Sequence, residues 1–425
     1  MYLSRDLFNT KFAQKTWRGM LLGLLIIVFY IGALKSAISA EIDLDKKDMN
    51  ILIGSVMPLT NDSVYYDLNN YSISMKKGIK TALESQIIKD RKKIEFEVIN
   101  DSNDPITTVQ AARELMDKGV FLMLGNVGSI STLKLVKVLE ANQIPAMGFY
   151  TMGDINAENM LSYRPNTAQE VTAIIDNFVV KNGANATQVC IFAQNDVFGM
   201  AGVNGLKAAL EKLPDTQSII NKLDHTLDMM MGGINPALNS IGPVGFYQYE
   251  TVFIREGYLS LKNWERESGN QCKLVILLAM PKVAADFIAY THYKNEPWSF
   301  GAVSVTAAGH ALNGYLKSYG IEKNIVISQV VPALNSSLPI VVDARNALGS
   351  DLNPISLEGY IVGRMFLIIL NSMEDPVTRA NFIKTARQSP FDMGGLRIDF
   401  TKGNSGSTLV FLNQVNMGSY SLAQQ

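Results

Sequence analysis

The chain of 425 residues has two cysteines, three histidines and three tryptophans, and its 38 Lys and Arg nearly cancel its 39 Asp and Glu. A net charge of -1 leaves no basic excess to track a nucleic-acid backbone, and no run of like charge marks an acidic or basic tail. His225, His292 and His310 stand in no HExxH or other ligand spacing, so the histidine-based metal patterns are excluded. GxxxxGK[ST] and GxSxG are absent as well, which removes the phosphate loop of nucleotide hydrolases and the nucleophile elbow of esterases. "DSNDP" at 101–105 offers oxygen ligands, but Pro105 stands where a calcium loop needs its next ligand and glycine. It reads instead as a turn and N-cap ahead of a helix over 106–118. No nucleophile, base and orienter share a spacing, and nothing asks for a metal or a cofactor; an enzyme is the reading least supported.

What is present is an ordinary globular composition, 47% hydrophobic and 18% charged, long enough for two or three domains. The N-terminus carries Arg5, Lys11, Lys15 and Arg18, then an uncharged apolar run over 20–34, then "KSAISA" ending at Ala40. This is the order of a secretory signal peptide, with cleavage expected after Ala40. The run is shorter than the ~20 residues of a spanning helix; the alternative is an uncleaved inner-membrane anchor. With no cysteine near the cut, a lipid anchor there is excluded. Either way the body is expected in the periplasm. In that oxidising compartment Cys190 and Cys272 could pair, but adjacent parallel strands would need matched register, so two small buried residues are the favoured reading.

Beyond residue 48 strand and helix patterns alternate. "NILIGSVM", "KIEFEVI", "VFLML", "QVCIFAQ", "VGFYQYE" and "CKLVILLA" read as strands, separated by amphipathic helices such as "SMKKGIKTALESQII" and "TAQEVTAIIDNFVVKNG". The fold class is therefore α/β, and the repeat length favours two doubly wound parallel-sheet lobes over one endless sheet. The stretch 213–244, with "MMMGG" and two prolines, breaks the rhythm and reads as an insertion forming a local packed hairpin. "FGMAGVNG" at 198–205 has the wrong glycine spacing for a dinucleotide fingerprint and points to close helix packing or backbone approach to a small ligand.

In open α/β sheets ligands bind at the carboxyl ends of the strands. Three polar, glycine-bearing loops lie there: "GNVGSIST" (125–132), "GFYTMGD" (148–154) and "QNDVFG" (194–199). They make Asn126, Ser129, Ser131, Thr132, Phe149, Tyr150, Thr151 and Phe198 the candidate ligand residues. Ser129, Ser131 and Thr132 stand at a helix start, where free N–H groups and hydroxyls can hold a carboxylate. The competing reading is that they only cap the helix over 131–140.

"ILIGSVMPLT", "VINDSNDPITTVQAARELMDKGV", "MLGNVGSISTLKLVKVLEANQIPAMGFYTMGD", "RPNTAQEVTAIIDNFVVKNGANATQVCIFAQNDVFGMAGVNGLKAAL", "SLEGYIVGRMFLIIL" and "SPFDMGGLRIDFTKGNSGSTLVFLNQV" together resemble the type I periplasmic substrate-binding proteins of the leucine/isoleucine/valine-binding family, over about 49–415. The resemblance implies two lobes joined by three crossover segments, with ligand between them. Carried over, lobe one is 49–163 plus 332–390, lobe two is 166–328 plus 396–425, and the crossings fall near "YRPN", "SQVVPAL" and "FDMGGL". It places Ser129 and Ser131 at first-lobe hydroxyl positions for a ligand carboxylate, Thr151 at the threonine of the second loop, and Phe198 at an aromatic that closes over the ligand from lobe two. Tyr65 and Tyr66 add a wall after the first strand. Amino-acid binders of the family supply a lobe-two acid for the ligand ammonium. The corresponding "FGAVSVTAAGHAL" has Ser304 and Thr306 but no acid, and Asp196 reads as a turn residue. The expectation is an exported binder of a small carboxylate-bearing or aromatic compound, an amino acid included, that hands it to an ABC transporter permease. The rivals are a membrane-anchored sensory module and a degenerate member serving as a protein-interaction scaffold.

Overall fold

The computed structural model describes residues 50–60, 66–85, 93–151, 153–154, 157–183, 185–236, 242–308, 311–321, 325–374, 376–416 and 419–422. The expected signal peptide or anchor, and Tyr65, lie outside the described residues; Tyr66 is described only as the first residue of a helix.

The first sheet is wholly parallel, in the order β2-β1-β3-β4-β5, from strands Asn50–Met57, Lys93–Asn100, Leu122–Leu124, Ala146–Met147 and Met160–Leu161. Its crossover helices are α1 (Tyr66–Glu84), α2 (Pro105–Asp117) and α3 (Ser129–Ala141). The second sheet runs β14-β13-β10-β9-β8-β6-β7. Its parallel part comprises β6 (Val189–Gln194), β7 (Val244–Tyr247), β8 (Leu274–Leu278), β9 (Ser299–Ala302) and β10 (Ile325–Gln329). The antiparallel strands β13 (Phe411–Asn416) and β14 (Ser419–Leu422) close one edge. Helices α4 (Thr167–Asn182), α5 (Val197–Leu210), α6 (Gln217–Met231), α7 (Arg255–Ser268), α8 (Pro281–Tyr293) and α9 (Ala311–Ser318) accompany it. The fold is α/β with two lobes, one on each sheet, as the strand and helix periods imply.

After β10 the chain forms α10 (Pro339–Leu348), α11 (Pro354–Ser372) and α12 (Arg379–Gln388), then a two-stranded hairpin of β11 (Phe391–Asp392) and β12 (Arg397–Ile398). The apolar helix α11 returns to lobe one and packs along α1. Glycine makes that approach possible, since a Cβ on Gly359 would stand 2.5 Å from the Met75 carbonyl oxygen, and one on Gly78 would strike the backbone of Ser356.

Two expectations are corrected here. Residues 213–244 contain no hairpin among the described residues: α6 is an amphipathic helix that buries Ile219, Ile220, Leu223, Leu227 and Met229 against its lobe and leaves Met231 exposed. Its apolar positions recur at helical spacing, a signal the methionine run and flanking glycines obscured. Cys190 and Cys272 form a disulfide with their Cα atoms 5.6 Å apart. Cys190 lies in β6 opposite Val275 of β8, and Cys272 stands two residues ahead of β8 beside a bend at Lys273, so the adjacency of the two strands and the path of the chain entering β8 bring the cysteines together.

Candidate functional site

The loop after β3 turns at Gly128, whose φ of +113° excludes most side chains. Gly128 is also the N-cap of α3, so the helix starts at Ser129, two residues before the expected position, and has no side-chain cap. Simple capping therefore does not account for the run of hydroxyls. Ser129, Ser131 and Thr132 are all buried. The Ser131 hydroxyl has no hydrogen-bond partner, and neither has the Asn126 side-chain amide nitrogen; the Asn126 Oδ1 accepts from Ser55 Oγ at 3.3 Å. Buried polar groups without partners are uncommon and costly, and two so close together, one on the loop and one in the first turn of α3, mark a place where a polar partner is expected.

Ser129 lines a small cleft, with about 240 Å³ of space that is in part open to solvent, together with Leu68, Asn103, Ile130, Gln194, Asp196, Tyr249 and Met280. Four of these follow strands of sheet one or lie at the start of its helices, and four end or follow strands of sheet two, so the cavity lies between the lobes at the carboxyl ends of both sheets. Asn103 Nδ2 donates across it to the Tyr249 hydroxyl at 2.7 Å. Asp196 is the one acid among the described lining residues. One of its oxygens caps α5 at Phe198 N (2.9 Å) and Gly199 N (3.4 Å), and the other accepts from Gln194 Nε2 at 2.6 Å. Burial pushes its carboxyl up, against the pull of those bonds. Asp196 is thus a turn and cap residue, as expected, that also faces the cavity.

The remaining candidates do not converge on that cavity. Thr151 donates to the Gly153 carbonyl at 3.1 Å and lines a second cavity with Asp154, Arg164, Asn166, Glu170 and Asn404. Phe149 is a member of the lobe-one hydrophobic cluster with Leu115, Met123 and Leu135, not a cleft wall. Phe198, expected as an aromatic exposed in the cleft, has no accessible surface. The Asp196 cap and the close seat of Gly199 on the Gln194 carbonyl press the first turn of α5 against β6, which makes the ring a core residue.

Tyr150 and Ser304 meet in a third cavity, beside residues the sequence reading missed. The Arg164 guanidinium lies 4.6 Å over the Tyr150 ring, its Nε is 2.8 Å from Glu358 Oε1, and its Nη2 donates to Ser304 Oγ at 2.9 Å. Ser304 in turn donates to Glu170 from its backbone N (2.8 Å) and its hydroxyl (3.0 Å), so its hydroxyl is already engaged within the protein. Burial pushes the Glu358 carboxyl up against the effect of Arg164, while burial opposes the Arg164 charge and the two carboxylates restore it. The sequence signal for this group is a lone Glu358 inside the apolar run "SLEGYIVG", since a buried charge must be paired.

Residues 53–226 match the family model described as periplasmic binding protein. The fold is that of the type I periplasmic binding proteins. A protein of Rhodopirellula baltica SH 1 described as "a possible leucine/isoleucine/valine-binding protein" superposes with a TM-score of 0.75 at 23% identity, over 89% of this chain and 98% of that one. A leucine-binding protein of Thermotoga maritima gives 0.66 at 14% identity over 88% and 98%. A fatty acid ABC transporter substrate-binding protein of Thermomonospora curvata gives 0.68 at 13% over 90% and 94%. No curated protein sequence matches this chain.

Proposed function

We propose that this chain is an exported solute-binding protein that holds a small carboxylate-bearing organic ligand between its lobes and delivers it to an ABC transporter permease. The observation that carries the reading is the buried, unpartnered Ser131 hydroxyl together with the unpartnered Asn126 amide at the carboxyl end of β3. Both are donors, and a carboxylate or similar polar head reaching the first turn of α3 satisfies them with the added pull of the helix N-terminus. The cavity between loops of both sheets supports capture by closure, because a ligand shifts the lobes only if it contacts both. An α-amino acid is less favoured, because Asp196 spends both oxygens within its own lobe. The structural likeness to proteins described as binders of leucine, isoleucine or fatty acids supports a carboxylate head and leaves the tail open.

A thermal-shift screen against amino acids, short carboxylic acids, amides and aromatic acids tests this, since a ligand of the folded state raises the melting temperature by mass action, about 2.7 kcal/mol at a hundred times Kd. Carboxylates that raise it, with their amides silent, support the reading. A screen in which amides act as well as acids, or nothing acts at millimolar concentration, overturns the carboxylate.

A further inference from the structure

The chain passes from β5 of sheet one to α4 of lobe two through residues 162–166. This passage is bound sideways to the two others. The Tyr163 hydroxyl donates to the Val330 carbonyl at 2.8 Å, just after β10, and Ser407 N donates to the Tyr163 carbonyl at 3.1 Å on the way to β13. Arg164 is the next residue, and its side chain is buried. Its carboxylate partner Glu358 rides on α11, packed on α1 in lobe one. Its hydroxyl partner Ser304 follows β9 in lobe two and is held by Glu170 of α4, which also accepts from Ser328 Oγ of β10 at 2.5 Å.

We propose that Arg164 is a positioning residue of the hinge, whose guanidinium, by holding Glu358 of lobe one and the Ser304–Glu170 pair of lobe two together, sets the angle between the lobes. The planar fork of an arginine fixes the directions of its partners as well as their distance. Separating a buried carboxylate from its paired cation leaves an uncompensated charge, so rotations that would pull α11 away from β9 are suppressed. Tyr150 extends the coupling to the ligand loop. Its ring lies under the guanidinium, its N–H donates to the Asn126 carbonyl at 2.7 Å, and its carbonyl accepts from Gly128 N at 3.1 Å. A shift of Arg164 is therefore felt at the turn that begins α3. This last link to solute binding rests on the proposed function; the setting of the lobe angle does not.

The test is a distance measurement between spin labels at Ile106→Cys and Phe253→Cys, exposed residues of lobe one and lobe two, in purified protein without added solute. Both native cysteines are disulfide-bonded and stay unlabelled. Arg164→Lys keeps the charge and loses the fork; Ser304→Ala keeps the ion pair and removes the Arg164 contact together with the bond from the Ser304 hydroxyl to Glu170. Each is expected to shift or broaden the inter-label distribution in protein that remains folded, whereas a merely structural role would lower the melting temperature and leave the distribution as in the parent. A parental distribution in folded Ser304→Ala overturns the proposal, also if Arg164→Lys does not fold. Because no solute is present, this result is independent of whether the thermal-shift screen finds a ligand.

Discussion

Asn103 and Tyr249 meet across the cleft, the amide of one donating to the hydroxyl of the other at 2.7 Å. Asn103 is aimed by a tight turn in which Ser102 and Asn103 both take positive φ and Asp101 accepts from Asn103 N at 2.9 Å. The bond joins the loop after β2 of one sheet to the loop after β7 of the other, so it exists only with the lobes together. Tyr249→Phe removes it and is expected to favour the open form by about 1 kcal/mol, roughly fivefold. Small-angle scattering should show a larger mean radius; an unchanged radius would mean the bond does not hold the lobes.

Ser131→Ala removes a buried hydroxyl that has no partner. The expected stability change is within about 0.5 kcal/mol or in the stabilising direction, since no internal bond is lost. Affinity for a hit from the screen should fall about tenfold to a hundredfold, the worth of one charge-assisted bond. Chemical denaturation and calorimetry of one variant separate these effects, and unchanged affinity would remove Ser131 from the site.

Phe198→Ala is expected to cost about 3–5 kcal/mol, as for other fully buried aromatics. A variant that unfolds like the parent but binds weakly would instead restore the cleft role expected from the sequence.

Replacing both Cys190 and Cys272 by serine releases a crosslink between residues 82 apart. The chain-entropy estimate for that loop is about 4.5 kcal/mol, within a usual range of about 2–5. Denaturation of parent and variant under non-reducing conditions should show this difference, and a reductant should destabilise the parent alone.

Asp67, on α1, is raised from 3.8 to about 6 by burial, in part offset by a hydrogen bond from Tyr315. Its folded form binds the proton more tightly than the unfolded chain, so its contribution to stability falls as pH rises through that window. Asp67→Asn should be stabilised relative to the parent at neutral pH and not below pH 3.8, where both states of the parent are protonated. Melting curves across the range check it; parallel pH profiles would contradict the shift.

The sequence by itself determined the α/β class, the alternation of elements and the carboxyl-end loops that carry the candidates. Period and flanking turn residues are local properties, and a buried parallel strand such as "CKLVILLA" or a capped helix such as that after Asp104 declares itself within a few residues. Which loop residues face a cavity and which face the core was not legible in that way. Phe149 and Tyr150 are neighbours in one loop, yet one joins the lobe-one core and the other lies under a guanidinium. The disulfide depended on β6 and β8 being neighbours and on the path of the chain into β8, and Arg164 found Ser304 from 140 residues away. Such pairings are decided only when two sheets and the helices between them are packed, because a buried charge or thiol selects its partner by distance in space, and sequence spacing does not encode that distance.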